Sequence, residues 1–189
     1  MLSHPLSDNH NTAHLRSFAP HATSPPADST RSYAAIMEDQ AATLLANLRK
    51  SSVAVDAKLA QFNQLKSSIK HLRVPDAAQP AIFDCVKLAI ATQVSPSLVT
   101  AGLSTLGHLI KRLNLQDQGS VIGAQCGKLL PVLLERLGDA RESNRAASSQ
   151  CLSDLWVHSH TDIERAVLGT LAGQSSRAKE MGMMWVVKA

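Results

Sequence analysis

From Met37 onward the apolar residues recur at helical spacing, and the pattern itself recurs along the chain. Met37, Ala41, Leu44, Leu45 and Leu48 fall on one buried stripe. Phe62, Leu65, Ile69 and Leu72 form the next, followed by Ile82, Val86, Ala89 and Ile90, then Val99, Leu103, Leu106, Ile110 and Leu113. Cys126, Leu129, Leu130, Leu133, Leu134 and Leu137 make the longest stripe. Cys151, Leu152, Leu155 and Trp156 follow, then Ile163, Val167 and Leu171, and finally Met181, Met184 and Trp185. Breakers separate them at Ser51-Ser52, Val74-Pro75, Ser95-Pro96, Gly119-Ser120, Gly138-Asp139, His158 to Thr161 and Gly173 to Ser176. Only three Phe, two Trp and one Tyr occur in 189 residues, too few rings for the strands of a sandwich or barrel.

Eight helices are predicted, and they group in pairs. Pair starts near Met37, Ala78, Ser120 and Asp162 lie 41, 42 and 42 residues apart. Two helices per repeat of about 40–47 residues is the period of HEAT and armadillo arrays. The expected fold is therefore an all-α HEAT-repeat solenoid of about four helix pairs, each covering the apolar face its neighbour leaves open. In the third pair, Pro131, Asp139 and Arg145 stand at a HEAT-like Pro-x7-Asp-x5-Arg spacing. Pro131 is placed to kink a helix, Asp139 to cap a turn and Arg145 to pair with a neighbouring Asp. These are structural positions without chemistry. Gly102, Gly107, Gly123, Gly127, Gly169 and Gly182 interrupt helical patterns at a cost of up to about 1 kcal/mol each, which close helix packing would explain.

Residues 1–36 differ in kind. Residues 1–34 hold four of the eight prolines and four of the eight histidines, without apolar periodicity, so residues 1–36 read as a disordered extension ahead of a domain at 37–189. His4, His10, His14 and His21 are six, four and seven residues apart, which matches no metal-ligand spacing. The net charge of +4 belongs to the repeats, since Asp8 and Asp28 balance Arg16 and Arg31 in the extension. Cys85, Cys126 and Cys151 are widely spaced and odd in number, which suits reduced thiols packed in a core. No apolar run approaches the roughly 18 residues of a membrane span. Neither a membrane nor a nucleic-acid partner is expected, the latter because rings for base stacking are scarce.

No phosphate-binding loop, nucleophile elbow or metal-spaced cluster appears, so no enzyme, cofactor or metal is expected. His158 and His160, after Cys151, read as a polar turn, and Trp156 and Trp185 as packing residues. The turns joining the two helices of each pair are a different matter. In a helical array they align along one edge, so distant residues form a strip. Turn one carries Arg49 and Lys50, with Lys58 shortly after; turn two is uncharged and carries Ser95 to Ser97. Turn three carries Arg141, and turn four Arg177 and Lys179. A cationic edge of this kind suits a long acidic protein surface. The opposite turns carry a rival basic set: Lys66, Lys70, His71 and Arg73, then Lys111 and Arg112.

The strings DAKLAQFNQLKSSIKHLRVPDAAQPAIFDCVKLAI, STLGHLIKRL, LLERLGDARESNRAASSQCLSDLW and SRAKEMGMMW together resemble the amino-terminal TOG domain of fungal CLASP (cytoplasmic linker-associated) proteins, from about Met37 to the last residue. The resemblance implies a HEAT-repeat module of a microtubule-stabilising protein of the mitotic spindle, found in cytoplasm, cytoskeleton and nucleus. It implies tubulin contact through the turn edge, with Arg49, Lys50, Lys58, Ser95, Ser97, Arg141, Arg177 and Lys179 at the matching positions. An alternative partner class is spindle or kinetochore proteins, docked without tubulin contact. The chain departs from the family pattern twice. A full TOG domain has six repeats, so the domain is expected to be incomplete at its C-terminus, with an apolar face open around Met181, Met184 and Trp185. Turn one also has no aromatic, reading Lys50-Ser51-Ser52-Val53.

Overall fold

The apolar stripes become seven helices in the computed structural model, which describes residues 27–173 and 176–188. They are α1 (Ala27–Leu48), α2 (Val55–His71), α3 (Gln79–Ala91), α4 (Pro96–Leu115), α5 (Gly119–Arg136), α6 (Glu142–Leu171) and α7 (Ser176–Lys188). α1, α3 and α5 pack side by side as one layer; α2, α4 and the first part of α6 form the other. Each pair is thus one α–α repeat, and the fold is the all-α, HEAT-like array that the period predicts. Met37, Phe62, Leu65, Ile82, Leu106 and Leu133 are fully buried in one hydrophobic core that runs through every repeat.

Two boundaries differ from the sequence reading. α1 begins at Ala27, so the helix occupies residues 27–36, which the periodicity assigned to the extension. The other extension residues, together with Gln174 and Ser175 of turn four and Ala189, lie outside the described residues. The second difference is at His158 to Thr161, where a turn was expected. The chain does break there, but as a kink within α6 at a single non-helical residue, Ser159, at φ −159° and ψ 52°, and not as a loop. Ser159 is the residue just before the helical segment that follows, the position of an N-cap, and its hydroxyl donates to the carboxylate of Asp162 three residues on at 2.6 Å. One capping residue does the work of a loop. The fourth repeat therefore starts with the second part of α6 and closes with α7.

The repeat period reappears as a hydrogen-bond offset. The peptide of Val74 pairs with the Gln116 amide, the Gln118 amide donates to Asp76 at 2.6 Å, and Gln93 donates to Glu135 at 2.8 Å, each across 42 residues. Between α4 and α5 only three residues remain, and the chain turns by placing Asp117 at φ 58°. Asp tolerates this left-handed region better than most residues, and the Gln118 N–H then reaches the Leu113 carbonyl at 2.9 Å.

Two arginines clamp successive repeats, one at each edge. Arg112 of α4 donates to the Ile69 carbonyl at 2.9 Å and to the Lys70 carbonyl, at the C-terminal end of α2. Arg136 of α5 donates to the carbonyls of Ile90 and Thr92, each at 2.8 Å, at the end of α3. Helix ends leave carbonyls unpaired and carry partial negative charge, so a guanidinium satisfies both needs at once.

The glycines split into two groups. A Cβ on Gly102 would lie 3.0 Å from the Ala89 Cβ, and one on Gly123 would lie 3.1 Å from the His158 carbonyl oxygen. These two allow the close helix approach that was expected. Gly107, Gly127, Gly169 and Gly182 meet no neighbouring atom where a Cβ would be, so close packing does not account for these four.

Candidate functional site: the turn edge

The turns within repeats one to three do line up along one edge. A groove of about 510 Å³ lies between turns one and two, lined by Arg49, Lys50, Val53, Lys58, Val94 and Ser95 among others. A second, of about 390 Å³, continues between turns two and three, lined by Gln93, Pro96, Glu135, Asp139 and Arg141 among others. Arg49, Lys50, Ser97 and Arg141 are exposed along this edge. Arg177 is exposed and Lys179 half-buried near the start of α7; among the described residues neither shares a groove or hydrogen bond with the other three turns.

Two predicted contact residues turn inward. Lys58 is buried, and its ammonium donates to the Lys50 carbonyl at 2.8 Å, closing turn one from inside. Its stem packs at the turn, so its charge shapes the loop instead of facing a partner. Ser95 is also buried and is the N-cap of α4, its hydroxyl accepting from the Leu98 N–H at 3.3 Å. Both residues hold up the surface that their exposed neighbours present.

At turn three the structural triad rearranges. Pro131 sits inside α5 on its exposed side, where the carbonyl it leaves unpaired, that of Gly127, lies on a face open to solvent. Asp139 caps as expected: one carboxylate oxygen accepts from the Arg141 N–H at 2.8 Å and from Asn144 at 3.3 Å. Its ion pair, however, is with Arg136 at 3.3 Å, in a nearly buried site. Arg145 instead donates to the main-chain carbonyls of Asp139 and Ala140 at 2.9 and 3.0 Å, bracing its own turn. Arg136 lies closer to Asp139 in sequence and already sits beneath it, so Arg145 is left with the carbonyls.

The edge is less uniformly cationic than a tally of bases suggests, because Glu135 and Glu142 are exposed at turn three. Its centre is apolar. Val94, at the tip of turn two, is 93% exposed, the largest exposure of any large apolar side chain described. A β-branched residue flanked by Gln93 and Ser95 gives no periodic signal, so sequence reasoning passed over it.

Other candidates resolve into packing. Burial, with Asp84 second, pushes the Cys85 thiol up to about 12. Burial, with Asp154 second, does the same for Cys151, and burial raises Cys126 to about 11. At neutral pH these are protonated core thiols, poor as nucleophiles. The His158 ring packs over Gly119, and His160 lies 6.1 Å from Trp156 in a tilted pair. Trp156 meets Trp185 edge-on at 5.9 Å, and the Trp185 indole donates to Ser153 at 3.2 Å. Trp185 is thus buried; the apolar side chains open at this end of the array are Leu168, Met183, Met184, Val186 and Val187. Among the described residues no helix is long and apolar enough to cross a membrane, and no group of three His, Cys, Asp or Glu is placed to hold a metal ion.

A two-layer array of helix pairs with one edge of aligned turns is a HEAT-like array, and comparison with known proteins gives it a family. Residues 37–189 match the family model described as CLASP N terminal, and the chain belongs to that family. It is 47% identical over 152 residues to Protein STU1 of Phaeosphaeria nodorum, covering 80% of this chain and 13% of that protein. It is 46% identical over 152 residues to Protein stu1 of Aspergillus fumigatus, covering 80% and 11%. With Protein stu-1 of Neurospora crassa the identity is 36% over 154 residues, covering 81% and 13%. The chain therefore spans little more than a tenth of the length of these relatives. No solved structure matches it.

Proposed function

We propose that this domain is a tubulin- or microtubule-binding module of a CLASP-like protein, acting at the cytoskeleton and mitotic spindle through the turn edge. Membership in the CLASP N-terminal family supports the partner class. The observation that carries the choice of surface is that the two grooves adjoin at Thr92 of turn two, so Arg49, Lys50, Val94 and Arg141 flank neighbouring grooves on one edge. The mechanism is docking without chemistry. Rigid turns present cations to an acidic protein face, and Val94 supplies a desolvated contact at the centre of the strip. The cations steer and orient the encounter, so binding weakens as salt rises.

Co-sedimentation of the chain with microtubules tests this, comparing wild type with Lys50→Glu, Arg141→Glu, Lys179→Glu and Val94→Asp. Reversals at Lys50 and Arg141 should reduce pelleting most at low salt. Unchanged pelleting in all four variants defeats the turn-edge reading. Pelleting of the wild type that is equal with and without microtubules defeats tubulin as the partner and favours a spindle or kinetochore scaffold.

A further inference from the structure

The second helices of repeats one and two carry a basic surface that the turn edge does not include. Lys66 and Lys70 stand one turn apart on α2, and His108 and Lys111 one turn apart on α4, which packs against it. Lys70 and Lys111 are exposed, while Lys66 and His108 are half-buried. The four groups are close enough to interact: His108 is held below the usual histidine range first by burial, then by Lys70, Lys66 and Lys111. Arg112 fixes the geometry, because its guanidinium is bound to the carbonyls of Ile69 and Lys70 and ties the end of α4 to the end of α2.

This surface has almost nothing to neutralise it. α4 contains no Asp or Glu in its 20 residues. The one acid of α2, Asp56, lies in its first turn, about 15 Å or more along the helix from Lys66 and Lys70. Among the described residues, the ammonium groups of Lys66, Lys70 and Lys111 make no ion pair or hydrogen bond. Toward α6 the patch ends at Asp154, which lines a groove with Lys111 and accepts from Gln150 at 2.8 Å. Helix-end electrostatics account for Lys70 and His71, in the last turn of α2, and for Arg112 in that of α4. They do not account for Lys66 or Lys111.

We propose that the α2–α4 face docks an acidic polypeptide segment in extended conformation, independently of the turn edge. Lysines at i and i+4 stand about 6 Å apart, and same-side carboxylates of an extended chain recur about every 7 Å, so successive acids meet successive lysines. Leu115, four residues beyond Lys111 and 77% exposed, adds one apolar contact at the far end. Nucleic acid fits less well. Phe62 of α2 is buried and α4 has no Phe, Tyr or Trp, so the only rings at this face are the imidazoles of His71 and His108, and the Arg112 guanidinium is already committed to backbone carbonyls. A lone leucine is also too little apolar surface to hold a bilayer.

Fluorescence anisotropy of a labelled oligoglutamate peptide with the full chain at low salt tests the proposal. The combined Lys66→Glu, Lys70→Glu, Lys111→Glu variant should lose about tenfold or more in affinity, whereas Lys50→Glu with Arg141→Glu should change it by less than about twofold. A Lys→Gln version of the triple variant, with thermal unfolding as the folding control, carries the test if the reversal does not fold. The proposal is overturned if wild type does not bind, or if both sets of variants lose affinity equally. It is also overturned if duplex DNA or phosphatidylserine vesicles engage the face more tightly than the peptide does.

Discussion

The side-chain amide of Gln116 pairs with the main chain of Val74 as a second peptide group would. The Val74 N–H donates to Oε1 at 2.8 Å, and Nε2 donates to the Val74 carbonyl at 3.1 Å. The same Nε2 reaches Gln118 at 2.9 Å, and Gln118 accepts from Gln79 at 2.9 Å, so the linkers between repeats are joined by side-chain amides. Replacing Gln116 with Leu keeps the bulk and strands both peptide groups of a buried residue. The expected loss is about 1–3 kcal/mol in urea unfolding. Gln116→Glu keeps the acceptor and loses the donor, and should fall between wild type and the Leu variant.

Arg136 makes the same point at the other edge. It is 7% exposed, and its three contacts are the Ile90 and Thr92 carbonyls and the Asp139 carboxylate. A lysine cannot span that fork. Arg136→Lys should cost about 2–4 kcal/mol, measured by denaturant midpoint at unchanged slope. If the cost is below about 0.5 kcal/mol, as for a surface substitution, the clamp does not hold the repeats together.

The glycines give a matched pair on one helix. Gly107→Ala meets open space and should stabilise α4 by about 0.5–1 kcal/mol. Gly102→Ala drives a methyl into Ala89 and Ile90 of α3, where contacts would be 3.0 and 3.1 Å, and should destabilise by about 1–3 kcal/mol. Thermal unfolding of the two variants should show melting temperatures moving in opposite directions.

His108 predicts a pH dependence with a definite sign. Burial first, then the charges of Lys70, Lys66 and Lys111, hold its folded pKa below the ordinary histidine value of 6.5, so on acidification the unfolded chain takes the proton first. No effect is expected above about pH 7, where the ring is neutral in both states; stability then falls as pH drops through the unfolded pKa, and levels off below the folded one. His108→Gln should therefore gain on wild type as pH falls below about 7 in matched unfolding curves, with no difference in slope above that pH.

Helix existence and period were legible in the sequence because both come from burial. Leu129, Leu133 and Leu137 must face the core, and the spacing of such residues records the helix directly. The linkers were not legible for the opposite reason. Gln79, Gln116 and Gln118 belong to a residue type that is usually solvated, and only the folded array brings them together. Lys58 and Ser95 show a related limit. Sequence position placed both at turns, but their direction depends on which carbonyl or N–H is left without a partner there. Arg136 carries no signal in the sequence, because a cation at a helix end is compatible with facing water as well as with clamping a neighbour. The break at residues 158–161 was visible, but not that Ser159, hydrogen-bonded to Asp162, would hold it to one residue.

That single capping residue sets the mechanics of the array. Earlier repeats are joined by connectors of several residues, whose torsions can share a deformation among many bonds. The chain connector between the third and fourth is the single non-helical residue Ser159. The helix beyond it, residues 160–171, is about 18 Å long, so a rotation of about 10° there carries its far end through about 3 Å. Bending strain in the last part of the solenoid would therefore concentrate on one pair of backbone torsions and on the Ser159–Asp162 hydrogen bond. The fourth repeat is a lever with its fulcrum at a serine.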